Sequence, residues 1–311
     1  MPTETATASP VLEVVARGAA LLARRGIGGS PALARLEAEL LAAHVLGIPR
    51  WRLWIEPDDP MTPAASAAIG ALCLRRAAGE PLQYLTGRQE FWGLSVQVRP
   101  GVLIPRPETE GLVEAALRFL PACGVWPARG GSPIAPNAPA LIVEIGTGSG
   151  CLTVALARAY PKARVVATDI SSASLAVAAE NARRHGVIER VTFVLGDLFE
   201  PLGAVNANLI VSNPPYVTTA DWGRLPSEIR LHEPRAALDG GPDGLEVVRR
   251  LLAGAGRYLR PDGLLLVEIG AGQAAAVRRL ARANRFTVEA VERDLAGIPR
   301  VLVARTAEWT A

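Results

Sequence analysis

From Leu141 onward, short apolar runs alternate with amphipathic segments, and this alternation constrains the fold more than any other feature of the chain. The apolar runs predict strands at 141–145, 164–168, 191–195, 207–212, 263–269, 286–292 and 300–305, with helices in gaps such as 150–160 and 172–185. Strands apolar on both sides need cover on both faces, which implies a mostly parallel sheet flanked by helices. The last two runs are joined by a loop too short for a crossover helix, so they should pair antiparallel. The expected class is therefore α/β, with a seven-stranded, mostly parallel sheet ending in an antiparallel C-terminal strand pair.

The first 80 residues have a different texture. Val11 to Arg25, Pro31 to Leu46 and Pro63 to Ala78 show helical spacing of apolar residues, with Ser30 placed to cap before Pro31. Trp51 and Trp54 fall between the second and third helices and are expected to anchor a small helical core. Short runs at Phe91 to Val98 and Val102 to Ile104, with Gly93 and Gly101 as turn residues, predict a hairpin joining two domains. A helix should follow from Pro107 to Leu120, and residues 121–139, with five Pro and three Gly, read as a loop. The division expected is a helical domain at 1–82, a hairpin linker at 83–105 and an α/β domain at 106–311.

Half of the chain is apolar and the net charge is only +3, which excludes disorder as its main state. No apolar run is long enough to predict a membrane span, and Glu4 and Glu13 interrupt what would be a leader peptide. Cys73, Cys123 and Cys151 are scattered, which suits a reducing cytoplasm rather than a disulfide frame. His44, His185 and His232 have no ligand spacing, so no metal is expected. Residues 1–90 balance nine Arg against nine acidic residues, and no block of five basic residues occurs anywhere. Stable nucleic-acid binding is therefore not expected.

Gly146-Thr147-Gly148-Ser149-Gly150 follows the first strand of the α/β region and opens a helix. Such a turn lets a ligand approach the backbone and offers it free N–H groups at a helix N-terminus. Cys151 stands where a dinucleotide fingerprint needs its third glycine, and no P-loop lysine is present. Asp169, at the end of the next strand, can accept from both hydroxyls of a ribose, and Asp197, at the third strand end, from an adenine amino group. Val267-Glu268-Ile269-Gly270-Ala271-Gly272 nearly copies Val143-Glu144-Ile145-Gly146-Thr147-Gly148. It lacks the third glycine and a following strand-end Asp, and so reads as a structural turn.

The most specific motif is Asn213-Pro214-Pro215-Tyr216, after the strand at 207–212. Its prolines fix the backbone and remove two donors, leaving carbonyls that only accept. With the Asn213 side-chain oxygen they can hold an NH₂ group by its hydrogens, and Tyr216 offers an aromatic face to the planar group and to a sulfonium methyl. An amide nitrogen is a poor nucleophile, so orienting it and stabilising the positive charge that develops are the useful contributions.

These elements together resemble Rossmann-like methyltransferases that use S-adenosylmethionine on planar nitrogens. Gly79-Glu80-Pro81-Leu82-Gln83-Tyr84-Leu85-Thr86-Gly87, Leu103-Ile104-Pro105-Arg106-Pro107-Glu108-Thr109-Glu110, Glu233-Pro234 and Asp294-Leu295-Ala296-Gly297-Ile298-Pro299-Arg300 narrow the resemblance to the release factor glutamine methyltransferases (PrmC/HemK family). The resemblance implies S-adenosylmethionine as cofactor and, as substrate, the glutamine of the Gly-Gly-Gln motif in class-1 peptide chain release factors. It implies cofactor binding by Glu144, Gly146, Thr147, Gly148, Ser149, Gly150, Asp169, Asp197, Leu198 and Asn213. The catalytic set is Asn213, Pro214 and Tyr216, and the glutamine is gripped by Asn213, Pro214, Pro215 and Tyr216. The helical N-terminal domain is expected to help dock the release factor. Glu144 stands where Asp is usual in this family, and Leu198 replaces an aromatic found in some members. Two other acceptors share the same chemistry: a ribosomal-protein glutamine, and the N6 of adenine in nucleic acid.

Overall fold

The computed structural model describes residues 10–120 and 140–306, so the expected loop at 121–139 lies outside the described residues. The chain forms two compact units, one running to Gly87 and including Ser227–His232, the other formed by the remainder.

The first unit is helical, with α1 (Val11–Arg24), α2 (Pro31–Leu46), α3 (Arg52–Ile55), α4 (Pro63–Ala77) and α5 (Leu82–Thr86). Ser30 caps α2 by accepting from the Leu33 N–H, and Thr62 caps α4 by accepting from the Ala65 N–H, each followed by a proline in the first turn. Val14, Val15, Leu22, Ala38, Leu41 and Ile69 meet in one apolar core. The tryptophans do not anchor it. Trp51 and Trp54 are 61% and 49% exposed, and Leu53, at 1%, takes the inward position. A single helical turn can aim only one side chain into the core, and the guanidinium of Arg35 covers the Trp54 ring at 4.6 Å.

The second unit opens with a hairpin of β1 (Arg88–Phe91) and β2 (Leu94–Gln97). Its turn falls at Trp92-Gly93, both with positive φ, so Gly93 is a turn residue as expected, while the first strand lies before Trp92 and the second ends at Gln97. Residues 102–104 form no strand. The expected linker also begins inside α5, and the hairpin packs within the α/β unit: Phe91, Leu94 and Val96 join its core, and Gln97 exchanges hydrogen bonds with the Asn181 side chain.

A 3₁₀ turn at Pro107–Thr109 leads into α6 (Glu110–Phe119). The sheet then assembles from β3 (Leu141–Ile145), β4 (Arg164–Asp169), β5 (Val191–Leu195), β6 (Ala207–Ser212), β7 (Leu259–Glu268), β8 (Phe286–Arg293) and β9 (Pro299–Thr306). Its order is β5-β4-β3-β6-β7-β9-β8, parallel through β7, with β9 antiparallel to both β7 and β8. Each expected strand is present. Only β7 differs by more than a residue, starting early and bending through Asp262 at φ 59°.

Alternate residues of the central strands feed two cores, one on each face. Leu209, Val211, Leu264 and Leu266 pack beneath α6, α7 (Cys151–Ala159) and α8 (Ser172–Arg184). Ile210, Leu265 and Val267 face α11 (Glu246–Ala255) and α12 (Ala274–Ala283). Between β6 and α11 lie the short helices α9 (Thr219–Trp222) and α10 (Ser227–His232). The chain leaves β3 toward β4 and β5 on one side and resumes at β6 on the other. This reversal opens a crevice at the carboxyl ends of β3 and β6, where open α/β sheets bind their ligands.

Candidate functional site

The glycine loop turns between β3 and α7 at that crevice. Its entry is tied to the neighbouring strand, because the N–H groups of Gly146 and Thr147 both donate to the Thr168 carbonyl, at 2.9 and 3.0 Å. Gly150 has φ 78°, and a Cβ there would lie 2.8 Å from that of Ala178, so glycine is required for α7 to meet α8. Side chains added at Gly146 or Gly148 would instead enter open space. The loop is thus a cradle closed behind by packing and open in front.

Asp169 closes one side of the cradle. Its Oδ2 accepts from the Gly148 N–H at 2.8 Å and its Oδ1 from the Ser171 N–H at 2.9 Å. Burial pushes its carboxyl up, opposed by those backbone donors and that of Ile170. Behind the loop, Glu144 is almost fully buried and accepts from the hydroxyls of Thr147, at 2.9 Å, and Thr153. Burial lifts its pKa to about 8. Glu144 therefore braces the loop from inside. The Ser149 carbonyl accepts from Asn181 Nδ2 at 2.8 Å, which fixes the loop to α8.

The third strand end is arranged differently. Asp197 lies beyond β5 and forms an ion pair with Arg250 of α11 at 2.6 Å. Leu198 has φ 47°, and its carbonyl accepts from the Thr168 hydroxyl at 3.1 Å, while its side chain packs on the core beneath α11. The structure joins the glycine loop to Asp169 but engages Asp197 with Arg250.

Asn213-Pro214-Pro215-Tyr216 leaves β6 beside the glycine loop. The Ser212 hydroxyl donates to the Ile145 carbonyl at 2.8 Å, linking the two segments, and the peptide bonds across both prolines are trans. Asn213 Nδ2 donates to Thr109 Oγ1 at 2.9 Å, which leaves Oδ1 as the open acceptor. The Tyr216 hydroxyl donates to Glu268 Oε1 at 3.1 Å. Burial and that carboxylate push the Tyr216 phenol well above its ordinary range, so it stays protonated.

Several supporting residues were not among those expected at the site. Glu268 belongs to the near-copy of the glycine motif, and Gln273 follows it directly. That segment is a structural turn, as expected, and it braces the site: Gln273 Oε1 accepts from the Gly270 N–H, and its Nε2 donates to the carbonyls of Tyr216 and Gly244. Thr109 and Arg106 lie in the Pro-Arg-Pro-Glu-Thr-Glu segment. Glu233 accepts from the Ile104 N–H at 3.1 Å and from the Arg106 guanidinium, pinning that segment in place. The repeat of Val-Glu-Ile-Gly was the available signal for Glu268. Among the described residues no group of three or more His, Cys, Asp or Glu side chains could hold a metal ion, and no helix is long and apolar enough to cross a membrane.

Comparison with known proteins places this geometry in a family. Residues 13–87 match the PrmC N-terminal domain and residues 134–226 the methyltransferase small domain. A release factor glutamine methyltransferase of Moorella thermoacetica is 46% identical over 90% of this chain and 94% of its own length. One from Geobacter sulfurreducens is 46% identical over 91% and 92%. Among solved structures, the catalytic domain of hMettl16, in complex with the MAT2A 3′UTR hairpin 6, superposes with a TM-score of 0.52 at 16% identity, covering 77% of this chain and 83% of that one; the likeness is one of fold. With relatives this similar along nearly their whole length, the chain belongs to the release factor glutamine methyltransferase family.

Proposed function

We propose that this protein transfers a methyl group from S-adenosylmethionine to the side-chain amide nitrogen of the glutamine in the Gly-Gly-Gln motif of class-1 peptide chain release factors, in the cytoplasm and without stable binding to nucleic acid. The observation that carries the reading is the orientation of Asn213. Its amide nitrogen is engaged by Thr109, so an acceptor rather than a donor is left for the substrate.

The cradle suits the cofactor: Gly146 and Gly148 front open space, and each Asp169 oxygen, already holding one backbone donor, keeps a lone pair for a ribose hydroxyl. When bound, S-adenosylmethionine supplies an electrophilic sulfonium methyl. The chain's own residues act on the glutamine. Asn213 Oδ1 and the acceptor-only backbone of Pro214 and Pro215 take its two amide hydrogens, which fixes the nitrogen's direction and favours the charge it gains. The Tyr216 ring lies against the flat amide. Once the methyl is attached, the nitrogen is acidic enough to lose a proton to solvent, so the transfer itself needs no strong base.

The test is to incubate the protein with S-adenosylmethionine and an unmodified class-1 release factor and to map methylation by peptide mass spectrometry. Methyl on the Gly-Gly-Gln glutamine supports the reading. Transfer to a ribosomal protein or an oligonucleotide in place of the release factor overturns it.

A further inference from the structure

Past Ser212 the chain has left β6, and it pairs again at Val217. There the Val217 N–H donates to the Leu238 carbonyl at 2.9 Å, and its own carbonyl accepts from the Gly240 N–H at 2.7 Å. The stretch between is the substrate end of the site. Pro214 and Pro215 have no N–H to give. Among the described residues, the backbone of residues 214–216 makes a single hydrogen bond: the Tyr216 carbonyl accepts from Gln273 Nε2 at 3.0 Å. A segment that belongs to neither ladder is thus held by one side chain.

Gln273 is itself fixed. Its N–H donates to the Gly270 carbonyl at 3.1 Å, and its carbonyl accepts from the Val277 N–H at 2.9 Å in the first turn of α12. Its Oε1 accepts from the Gly270 N–H at 2.8 Å. These bonds use the backbone and the acceptor locally, and leave the NH₂ group to reach outward. Its two hydrogens go to the carbonyls of Tyr216 and of Gly244, the latter at 3.2 Å. The amide has one workable orientation, because the reverse would set oxygen against two carbonyls and NH₂ against an N–H. Two glycines make the room. A Cβ on Gly244, at φ 72°, would collide with the Tyr216 carbonyl and lie 2.7 Å from Nε2. One on Gly270 would lie 3.0 Å from Oε1 and 3.2 Å from Tyr216 Cδ2.

We propose that Gln273 is a positioning residue for methyl transfer, anchoring the backbone of residues 214–216 through the Tyr216 carbonyl and so setting where the Pro214 carbonyl and the Tyr216 ring meet the substrate amide. The proposal rests on the reading that this segment grips the glutamine. The Tyr216 hydroxyl, bonded to Glu268 at 3.1 Å, fixes the far end of the ring but not the backbone that carries it. The cofactor cradle is held from elsewhere, by the Thr168 carbonyl on β4 and by Asn181 on α8. Loss of the anchor should therefore appear in the transfer step and not in cofactor affinity.

The anchor can be read without activity. Tyr216-Val217 is the only Tyr-Val pair in the sequence, so carbonyl-¹³C tyrosine with ¹⁵N valine gives one NMR resonance that reports the Tyr216 carbonyl in the full chain. Gln273→Met keeps the length of the side chain and removes both hydrogen-bonding groups. Gln273→Glu keeps the acceptor for Gly270 and turns an oxygen on the two carbonyls. The Tyr216 resonance should move in both variants, upfield in Gln273→Met, as a carbonyl does when it loses its donor. Single-turnover transfer to the release factor, with cofactor and release factor saturating, should fall by about ten- to a hundredfold in both, while the Kd for S-adenosylhomocysteine changes less than about twofold. A purely architectural role would lower the urea midpoint and leave the transfer rate of the folded protein unchanged. Should Gln273→Met fail to fold, Gln273→Glu carries both measurements. A Tyr216 resonance that stays in place in the folded variants, or a transfer rate that persists when the resonance moves, would overturn the proposal. Transfer to a ribosomal-protein glutamine in place of the release factor, with the same loss on substitution, would remove the release-factor reading and support the anchor.

Discussion

The Gly148 N–H donates to Asp169 Oδ2 at 2.8 Å, joining the glycine loop after β3 to the end of β4. The bond takes one lone pair of that oxygen and aims the rest of the carboxylate across the open side of the loop. It also gives Asp169 two tasks, holding the loop and meeting a ligand.

Asp169→Ala should therefore weaken cofactor binding more than either task alone would. A charged hydrogen bond is worth about 1.5–3 kcal/mol, so the loss of one to the ribose corresponds to about ten- to a hundredfold in Kd. Asp169→Asn should lie between, since its amide nitrogen cannot accept. Calorimetric titration with S-adenosylhomocysteine reads this directly, and an unchanged Kd in Asp169→Ala would remove Asp169 from the cofactor site.

Asn213→Ala removes the acceptor aimed at the reacting nitrogen and leaves the Pro-Pro backbone intact. Transfer should fall by about a hundred- to a thousandfold, the usual cost of deleting one oriented group in a transition state. The fold should persist, because Asn213 is only half-buried and its bond to Thr109 is the only one its side chain makes within the described structure. Single-turnover rates with saturating cofactor would check this, and normal turnover would refute the role.

Gly150→Ala sets a methyl group against Ala178 at 2.8 Å in a left-handed backbone conformation. Both faults destabilise, by about 1–3 kcal/mol together, and neither can relax without parting α7 from α8. Urea denaturation should show the loss. A neutral outcome would mean that the two helices separate more easily than their packing indicates.

The sheet was legible because its information is local. The runs at 141–145, 191–195 and 207–212 coincide with β3, β5 and β6 residue for residue, since short, mostly apolar runs bounded by turn residues mark strands at the sheet centre, such as β3 and β6, and at its edge, such as β5. The glycine loop and Asn-Pro-Pro-Tyr were legible because backbone requirements restrict those positions to few residue types. Glu268 was visible only as half of a near-repeat. Its contact with Tyr216 forms only after folding, and no spacing rule encodes that meeting. The hairpin turn at Gly93 was legible from the glycine, but the strand before it, Arg88–Phe91, was not, because it is short and carries mostly polar residues. The error on Trp51 and Trp54 came from treating size as burial, when a one-turn helix has a single inward position.

That correction carries a consequence for stability. Leu53→Ala should cost the helical unit about 2–5 kcal/mol, the range for emptying a buried leucine site. Trp54→Ala, at a half-exposed position with one cation–π contact, should cost about 1 kcal/mol or less. Thermal denaturation of the two variants in parallel would order them, and a larger loss in Trp54→Ala would restore the tryptophan to the core.

Buried Glu144 makes stability depend on pH in a direction opposite to that of a salt-bridged carboxylate. Its pKa is about 8 in the folded chain against an ordinary 4.5, so between these values the folded state binds a proton that the unfolded state has released. Protonation favours folding, and stability falls as pH rises through the window, with a slope approaching about 1.4 kcal/mol per pH unit for each such group. Glu268, raised to about 7, contributes the same sign over the lower part of the window. Asp221, Asp239, Asp243 and Asp294 all have lowered pKa values, so their contribution is present above 3.8 and is lost as pH falls further, outside this range. Glu144→Gln keeps an acceptor for the Thr147 hydroxyl and cannot ionise. It should flatten the decline and, above pH 8, exceed the unaltered protein in urea midpoint. Equal slopes in the two proteins would show that Glu144 is already ionised in the folded state, its charge carried by the hydroxyls of Thr147 and Thr153.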